Sequence, residues 1–575
     1  MLDESIQPDL PSWRRVRRYA VPQRMIARTT ARRLAGDWRG ACAAANVEVA
    51  FDEADLVEAY GARTAARLID ELTGFAPDLL RWHLPRALRG RTGLATERSF
   101  VLAPKVTRVT DDMPRLAVLL PAFVDGSQRL RLEIRDTGGT PELPAFLWDA
   151  REAHRLRAVW GGSAERMPFL APDGTPLTQQ RQQELAGSDS ATRAEDIAAL
   201  LAMGDLDAAW ELAGIPLVSE HVDDEVKPVS HHYGAKAVRD VLRSRGQARQ
   251  LNLVGLRLLV DDLTARHGVA AMGLTFGGQA RMVVRRGADG GLTARLPAHG
   301  VSFVDLPELL HRRPVDLDLL HHGMITLDEL HPLVRAAVLP GAPTASPAAP
   351  RPVSEPVRVR CRGAWHQVRP DPGGLLLLDH SAEEMLREQT LHSLGGAVAG
   401  CFATRLAWQT GSGRLPRRLR AQRIDLMQLV LHGDADEALD LLDRGMDPSI
   451  RDGRGFTLLH LLSYLEHERL LPRLLAAGVP VDARDREGRT PLHVAVKRAT
   501  SLPLVRALTE AGADPYAEDR HGMSPWRWVL LLTDSSEEED GDEDDEVLRR
   551  LGTPSARRLL IRRYLEQWRR RDDFG

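Results

Sequence analysis

Three glycines near the C-terminal end of the chain, Gly455, Gly488 and Gly522, are separated by 33 and 34 residues. A second series, Gly445, Gly478 and Gly512, repeats the same two spacings. Asp452, Asp485 and Asp519 stand three residues before the first series. A period this long means one supersecondary unit repeated, each copy burying its apolar face only against its neighbours. The repeats occupy a small part of the 575 residues. At about 150 residues per domain, the whole chain has room for three to four domains.

The middle copy is the most regular. It runs Asp485-Arg-Glu-Gly488-Arg-Thr490-Pro491-Leu492-His493-Val-Ala495, then Val505-Arg-Ala-Leu508, then Ala511-Gly512-Ala513-Asp514. Thr490 is placed to cap a helix, its hydroxyl accepting from an unpaired N–H. Pro491 falls at the first helical position, where a missing N–H costs nothing. Leu492 and Ala495 face the stack, His493 hydrogen-bonds locally, and Gly512 closes the second helix in a left-handed conformation. This run resembles an ankyrin repeat. The neighbours are looser. Gly455-Phe-Thr457-Leu458-Leu459-His460 has leucine where that family has proline, and Gly522-Met-Ser524-Pro525-Trp526 has lost leucine and histidine, as a terminal repeat does. Arg423–Asp452 reads as a further repeat, so the array covers about residues 423–533.

The resemblance implies an α-solenoid that binds a protein partner through its turn tips and inner helices. The tips are Gly453-Arg454, Arg486-Glu487 and Arg520-His521. The expected partner-binding residues are therefore Arg454, Arg486, Glu487, Arg520 and His521. The whole chain also resembles ankyrin-repeat proteins of high-GC bacteria, a likeness that implies no activity for residues 1–422.

The expected fold is multidomain, with a mixed α+β N-terminal part and a C-terminal ankyrin α-solenoid. Residues 1–190 form one α+β domain and 191–339 a second. Residues 340–356, with six prolines, form a linker. A strand-plus-helix segment, 357–422, leads into the repeats. Pro22–Ala45 and Thr192–Ala213 read as helical hairpins, each with glycine closing one helix and aspartate capping the next. Leu431–Ala438 carries the same turn signature. Asp52–Leu72, Pro77–Leu88, Ala235–Ser244, Asp305–His311 and Asp328–Val338 read as helical. Phe100–Leu102, Arg115–Leu120, Arg129–Ile134, Leu251–Val260 and Val357–Val368 read as strands, with Arg281–Arg285 and Leu292–Leu296 as a hairpin. Glu383–Trp408 reads as one long helix. Asp534–Glu546 holds ten acids in thirteen residues, and with 547 it forms a run expected to be disordered and to screen the arginines after it. The last segment, 548–575, has nine arginines against three acids and reads as a basic amphipathic helix.

Basic and acidic residues nearly cancel, 77 against 80, which excludes a nucleic-acid glue acting through net charge. No apolar run approaches the ~18 residues of a membrane span. Met1-Leu2-Asp3-Glu4 lacks an apolar leader, so a cytosolic protein is expected. Three cysteines with no CxxC pair exclude a disulfide framework. Only four of the 77 basic residues are lysines, the skew of a high-GC genome.

Motifs for chemistry are sparse. There is no Walker A loop, GxGxxG, GxSxG or HExxH. His221, Asp223, Asp224, Glu225, His231 and His232 have residue types that hold a divalent metal, but the segment also reads as a solvated loop. His321-His322 is a pair whose side chains diverge. Cys361 near His366 offers a thiolate–imidazole couple, though its alternating surroundings favour a buried inert thiol. Asp261-Asp262 offers a metal or phosphate site or a cap. Arg14-Arg15, Arg17-Arg18 and Arg32-Arg33, interleaved with Trp13 and Tyr19, offer a phosphate patch or intramolecular ion pairs. The reading these features favour is a protein-interaction scaffold with no cofactor and no metal. Two alternatives are a metal-dependent enzyme or effector in residues 1–422 and a nucleic-acid-binding regulator using the arginine patches.

Overall fold

The structure is a computed structural model. It describes residues 9–572 except 89–90, 97, 104–108, 111–112, 123–127, 136–140, 179–188, 219–249, 269–270, 277–279, 288, 296–303, 342–355, 372–373, 433–434, 498–501 and 535–553. Two compact units result, the first holding Met1–Pro121 and Arg129–Pro347, the second Ala122–Gln128 and Ala348–Gly575. As expected, the N-terminal part mixes helices with sheets and the C-terminal part is a helical repeat region.

The first unit contains two sheets. One comprises β1 (Val47–Val49), β2 (Ser99–Leu102), β3 (Arg115–Leu119), β4 (Leu130–Arg135) and β5 (Glu142–Leu143), in the order β1-β4-β3-β2-β5. The other comprises β6 (Ala271–Phe276), β7 (Ala280–Arg286), β8 (Leu292–Arg295) and β9 (Val304–Leu306), in the order β8-β7-β6-β9. One continuous apolar core runs from Leu10 to Val338 and takes residues from both sides of position 190. Trp82, Trp148 and Trp210 lie fully inside it.

Both helical hairpins are present, as Gln23–Leu34 with Trp38–Ala44 and Ser190–Met203 with Leu206–Leu212. Asp37 and Asp205 cap the second helix of each, accepting from Gly40 N–H at 2.7 Å and Ala208 N–H at 3.1 Å. The helix read over Pro77–Leu88 ends at His83, just before Pro85. Pro307 and Pro332 split two other expected helices: Val304–Leu306 is a strand before the helix Glu308–His311, and a 3-10 turn at Leu327–Glu329 precedes the helix Pro332–Val338.

The expected strand Leu251–Val260 is instead the start of a helix, Leu253–His267. Asn252 caps it, accepting from Gly255 N–H at 3.2 Å, and Gly268 closes it at φ 66°. A short apolar run reads alike for a buried strand and a buried helix, and here the cap decides. Ala235–Ser244 and most of the linker lie outside the described residues.

The second unit opens with an antiparallel sheet of β10 (Val357–Cys361), β11 (Ala364–Asp371) and β12 (Gly374–Leu377). The single helix expected over Glu383–Trp408 is two helices, Ala382–Ser393 and Gly400–Thr410. Gly395 and Gly400, at φ 86° and 60°, make the break. The repeat helices follow, from Arg417–His432 to Pro525–Asp534. The expected basic helix forms over Pro554–Asp572.

Candidate functional site

The surface of the repeats is built by three turns of common chemistry. Asp452, Asp485 and Asp519 each accept two turn N–H groups on one carboxylate oxygen, from Arg454 and Phe456, from Glu487 and Arg489, and from His521 and Met523, all at 2.8–3.0 Å. This tightens each loop, and the glycine that follows enters positive φ, at 86°, 78° and 68° for Gly455, Gly488 and Gly522. Consecutive turns are joined by backbone. Arg486 N–H donates to Arg454 carbonyl at 3.0 Å, and Arg520 N–H donates to Glu487 carbonyl at 2.9 Å. Arg451 and Arg484 repeat the link with side chains, each bridging its own turn and the next, to Arg484 and Glu518 carbonyls at 2.6 Å.

The histidines extend the same logic. His493 Nδ1 accepts from Thr490 N–H at 3.1 Å while Nε2 reaches the carbonyl of Met523 at 2.9 Å. His460 makes the equivalent bonds to Thr457 and to Arg489 carbonyl, at 3.2 and 3.0 Å. Each therefore fixes its own loop, as the sequence implies, and also ties it to the next repeat. A carbonyl accepts only, so Nε2 carries the proton and both rings are neutral. Burial favours that form, lowering His493 and bringing His460 down to about 4. Pro491 begins the helix Pro491–Lys497, with Leu492 fully buried. Where Leu458 replaces proline, the first helix is only a 3-10 turn, Leu458–Leu461. Gly445, Gly478 and Gly512 all take positive φ, at 93°, 82° and 92°.

Arg454, Arg486, Glu487, Arg520 and His521 are all exposed, on successive turns. They are not equivalent. Arg454 lies over the Phe456 ring at 4.4 Å and pairs with Asp452 at 3.2 Å. Arg486 donates to the carbonyl of Gly411, outside the array. Glu487 and His521 approach each other at 3.4 Å across adjacent tips.

The array is covered at its far end. The helix Pro554–Asp572 buries Leu560, Ile561 and Leu565. Its Tyr564 hydroxyl meets Thr509 Oγ1 at 2.8 Å, and Arg562 donates to Thr533 Oγ1 at 3.2 Å. Of the acidic run expected to screen it, Asp534 ends the helix Pro525–Asp534, and the rest lies outside the described residues.

The other candidates separate clearly. His221, His231 and His232 lie outside the described residues. Asp262 pairs with Arg155 and Arg266, and Asp261 pairs with Arg286, on a helix rather than at a strand end. Arg17 is buried between the rings of Trp13 and Trp82, paired with Asp316, and Arg18 pairs with Glu329. These two N-terminal arginines are thus used inside the molecule. His321 packs against Phe169.

Two features were not anticipated. The first unit holds a cavity of about 870 Å³ whose walls include Trp13, Arg17, His83, Arg86 and Asn252. His83 Nε2 has no hydrogen-bond partner among the described residues, and burial pushes this ring well below its ordinary range. In the second unit, Cys361 and His366 are joined by His380 and Cys401. Sequence spacing alone paired only the first two.

Residues 426–519 are ankyrin repeats, matching the family described as ankyrin repeats in three copies. The chain is 35% identical over 101 residues to SH3 and multiple ankyrin repeat domains protein 1 of Homo sapiens, covering 17% of this chain and 5% of that protein. It is 31% identical over 91 residues to an ankyrin repeat-containing protein of Schizosaccharomyces pombe, 16% of this chain and 42% of that one. Rabankyrin-5 of Mus musculus is 36% identical over 76 residues, 13% and 6% of the two chains. The chain thus spans less than half the length of these relatives, and the likenesses concern a repeat segment. Ankyrin repeats are commonly protein-binding modules. No helix among the described residues is long and apolar enough to cross a membrane.

Proposed function

We propose that the chain is a cytoplasmic scaffold of bacterial origin that captures a protein partner along the ankyrin turn tips. The observation that carries this reading is the backbone ladder from Arg454 to Arg486 and from Glu487 to Arg520, which sets charged, exposed side chains along one edge. Interfaces concentrate binding energy in few residues, with arginine enriched among them. The arginine-rich composition supports the bacterial source. On this reading the seven segments expected from the sequence divide the labour, the array docking and the preceding domains being carried to the partner.

The test is a full-length variant with Arg454, Arg520 and Glu487 replaced by alanine, compared with a second variant that adds Arg486→Ala. The first should lose captured partner at least tenfold and keep its melting profile, since exposed substitutions cost within about 0.5 kcal/mol. The second should also lose some stability, because Arg486 holds Gly411. A rival reading, small-molecule binding or catalysis in the first unit, is favoured by the cavity beside His83. On that reading the tip variants keep their partner and cellular phenotype, and changes at His83 abolish them.

A further inference from the structure

The segment before the repeats gathers four metal-ligating side chains from separate elements. β10 alternates, burying Val357, Val359 and Cys361 and exposing Arg358 and Arg360. A two-residue turn follows, Arg362-Gly363, with φ 51° and 87°, the geometry of a tight hairpin. It returns the chain so that Val359 pairs with His366 and Cys361 with Ala364. Paired residues share a face, so His366 stands on the side of Cys361. His380 immediately precedes Ser381, the cap of the helix Ala382–Ser393. Cys401 enters from the helix Gly400–Thr410. One ligand atom from each of Cys361, His366, His380 and Cys401 lies within 4.8 Å of all the others.

The surroundings hold the cluster together. A Cβ on Gly400 would stand 2.5 Å from Cys361 Sγ and 2.9 Å from its Cα, so only glycine lets this helix bring Cys401 up to Cys361. His366 Nδ1 and His380 Nε2 face each other at 2.8 Å. The other nitrogen of His380 meets Glu384 Oε2 at 3.3 Å, the arrangement by which a carboxylate orients a ligating imidazole. Both thiols are buried, at 2% and 0% exposure.

Apolar packing does little to hold the helix Ala382–Ser393 in place: of its apolar side chains, Met385 packs half-buried against the core. Glu388 is its only buried residue, while Leu386 and Leu391 are 66% and 49% exposed. A small element with so little core is commonly fastened by a disulfide or a metal.

We propose that Cys361, His366, His380 and Cys401 bind one zinc ion as a structural site clamping the hairpin to the two helices that lead into the ankyrin array. Two thiolates and two imidazoles form a tetrahedral zinc set with no position open for substrate. With Zn–N near 2.0–2.1 Å, the two nitrogens need a separation of about 3.3 Å, which small rotations of the imidazoles supply. Each thiol gives up its proton on binding, so uptake acidifies an unbuffered solution.

The full-length chain, produced with zinc supplied and then dialysed, should hold about one zinc per chain by elemental analysis. Cobalt(II) in its place should give tetrahedral d–d bands and thiolate-to-metal charge transfer. Cys361→Ser with Cys401→Ser, and His366→Ala, should lose the metal. His366→Cys, which keeps four donors, should retain zinc and strengthen the cobalt charge transfer, which separates ligation from a general folding defect. Glu384→Gln should weaken zinc binding about tenfold. Zinc-free protein with no cobalt charge transfer would overturn the proposal. So would full zinc retention by the double cysteine variant, stoichiometric iron or copper in place of zinc, or a quantitative Cys361–Cys401 disulfide.

Discussion

The two units tie themselves together over different distances. In the first, Arg17 binds Asp316 across 299 residues and His331 meets Asp78 across 253. In the array, His460 reaches Arg489 across 29 residues, His493 reaches Met523 across 30, and Arg451 reaches Arg484 across 33. Array contacts of this kind run to the next repeat and recur with the period. The difference shows where the determinants of each fold are stored. The array keeps them in a short local code repeated along the chain, whereas the first unit, beside the local caps of its hairpins, relies on one-off pairings such as Arg17 with Asp316. A local code tolerates an imperfect copy, as Leu458 shows. A single buried pairing has no substitute.

That contrast is broken most directly at Asp316. Its carboxylate pairs with Arg17 and accepts from Trp82 Nε1–H at 3.1 Å, and both ion-pair partners are buried. Asp316→Ala leaves a guanidinium stranded in the core, a loss of about 3–5 kcal/mol. Calorimetry should show the transition of the first unit falling sharply while that of the second stays in place. A double change of Arg17→Met and Asp316→Leu should recover part of the loss, since it strands no charge. A shift below about 1 kcal/mol for the single variant would mean that the pairing is not the hinge of that core.

The array has its own buried polar element, and protons attack it. The ring of His460 is neutral in the fold and brought down to about 4, chiefly by burial. In the unfolded chain a histidine titrates near 6.5. Between these values the unfolded state binds a proton that the folded state refuses, so stability rises with pH across that window. The contribution is complete above about pH 6.5, declines as pH falls, and levels off near 4, a loss of roughly 3 kcal/mol. His493 is shifted in the same direction. Denaturant midpoints of the second unit measured from pH 7.5 to 4 should show the decline, and His460→Gln should flatten it. An unchanged slope in that variant would assign the acid sensitivity to other groups.

How much was legible depends on the same contrast. The turn aspartates, the glycine series and the Thr-Pro-Leu-His start of the middle repeat were readable, because each residue satisfies backbone groups within a few positions. The histidines were half readable: the bond to Thr490 is local, but the bond to Met523 requires the neighbouring repeat. The basic helix was readable from Leu559, Leu560, Ile561, Tyr564, Leu565 and Trp568 at helical spacing, though not the surface it covers. Leu251–Val260 was misread as a strand because a short, mostly apolar run suits a buried strand and a buried helix alike. The Cys361 cluster was half seen, since His380 and Cys401 belong to other elements and only the fold brings them near. The one local hint was Gly400 directly before Cys401. Arg17 and Asp316 carry no mutual signal at all in a single sequence.

The smallest expected effect separates the two glycine series, which look alike in sequence. Both adopt positive φ, where a side chain with a Cβ is strained by about 1 kcal/mol or more. Gly512, at φ 92°, has open space where a Cβ would go. Gly488, at φ 78°, does not: a Cβ there would lie 3.1 Å from the backbone nitrogen of Arg520 on the next turn. Gly522 occupies the equivalent place in the last described turn of the array, and its space is again open. Strain alone predicts equal losses for Gly488→Ala, Gly512→Ala and Gly522→Ala. The contact between turns adds a further term only at Gly488, because backbone cannot step aside as the end of a flexible side chain can. The melting shift of the second unit should therefore be largest for Gly488→Ala and similar for the other two. Equal shifts for all three would mean that the turns slide past one another, and that the array is held by its helices and histidines rather than by the ladder joining its tips.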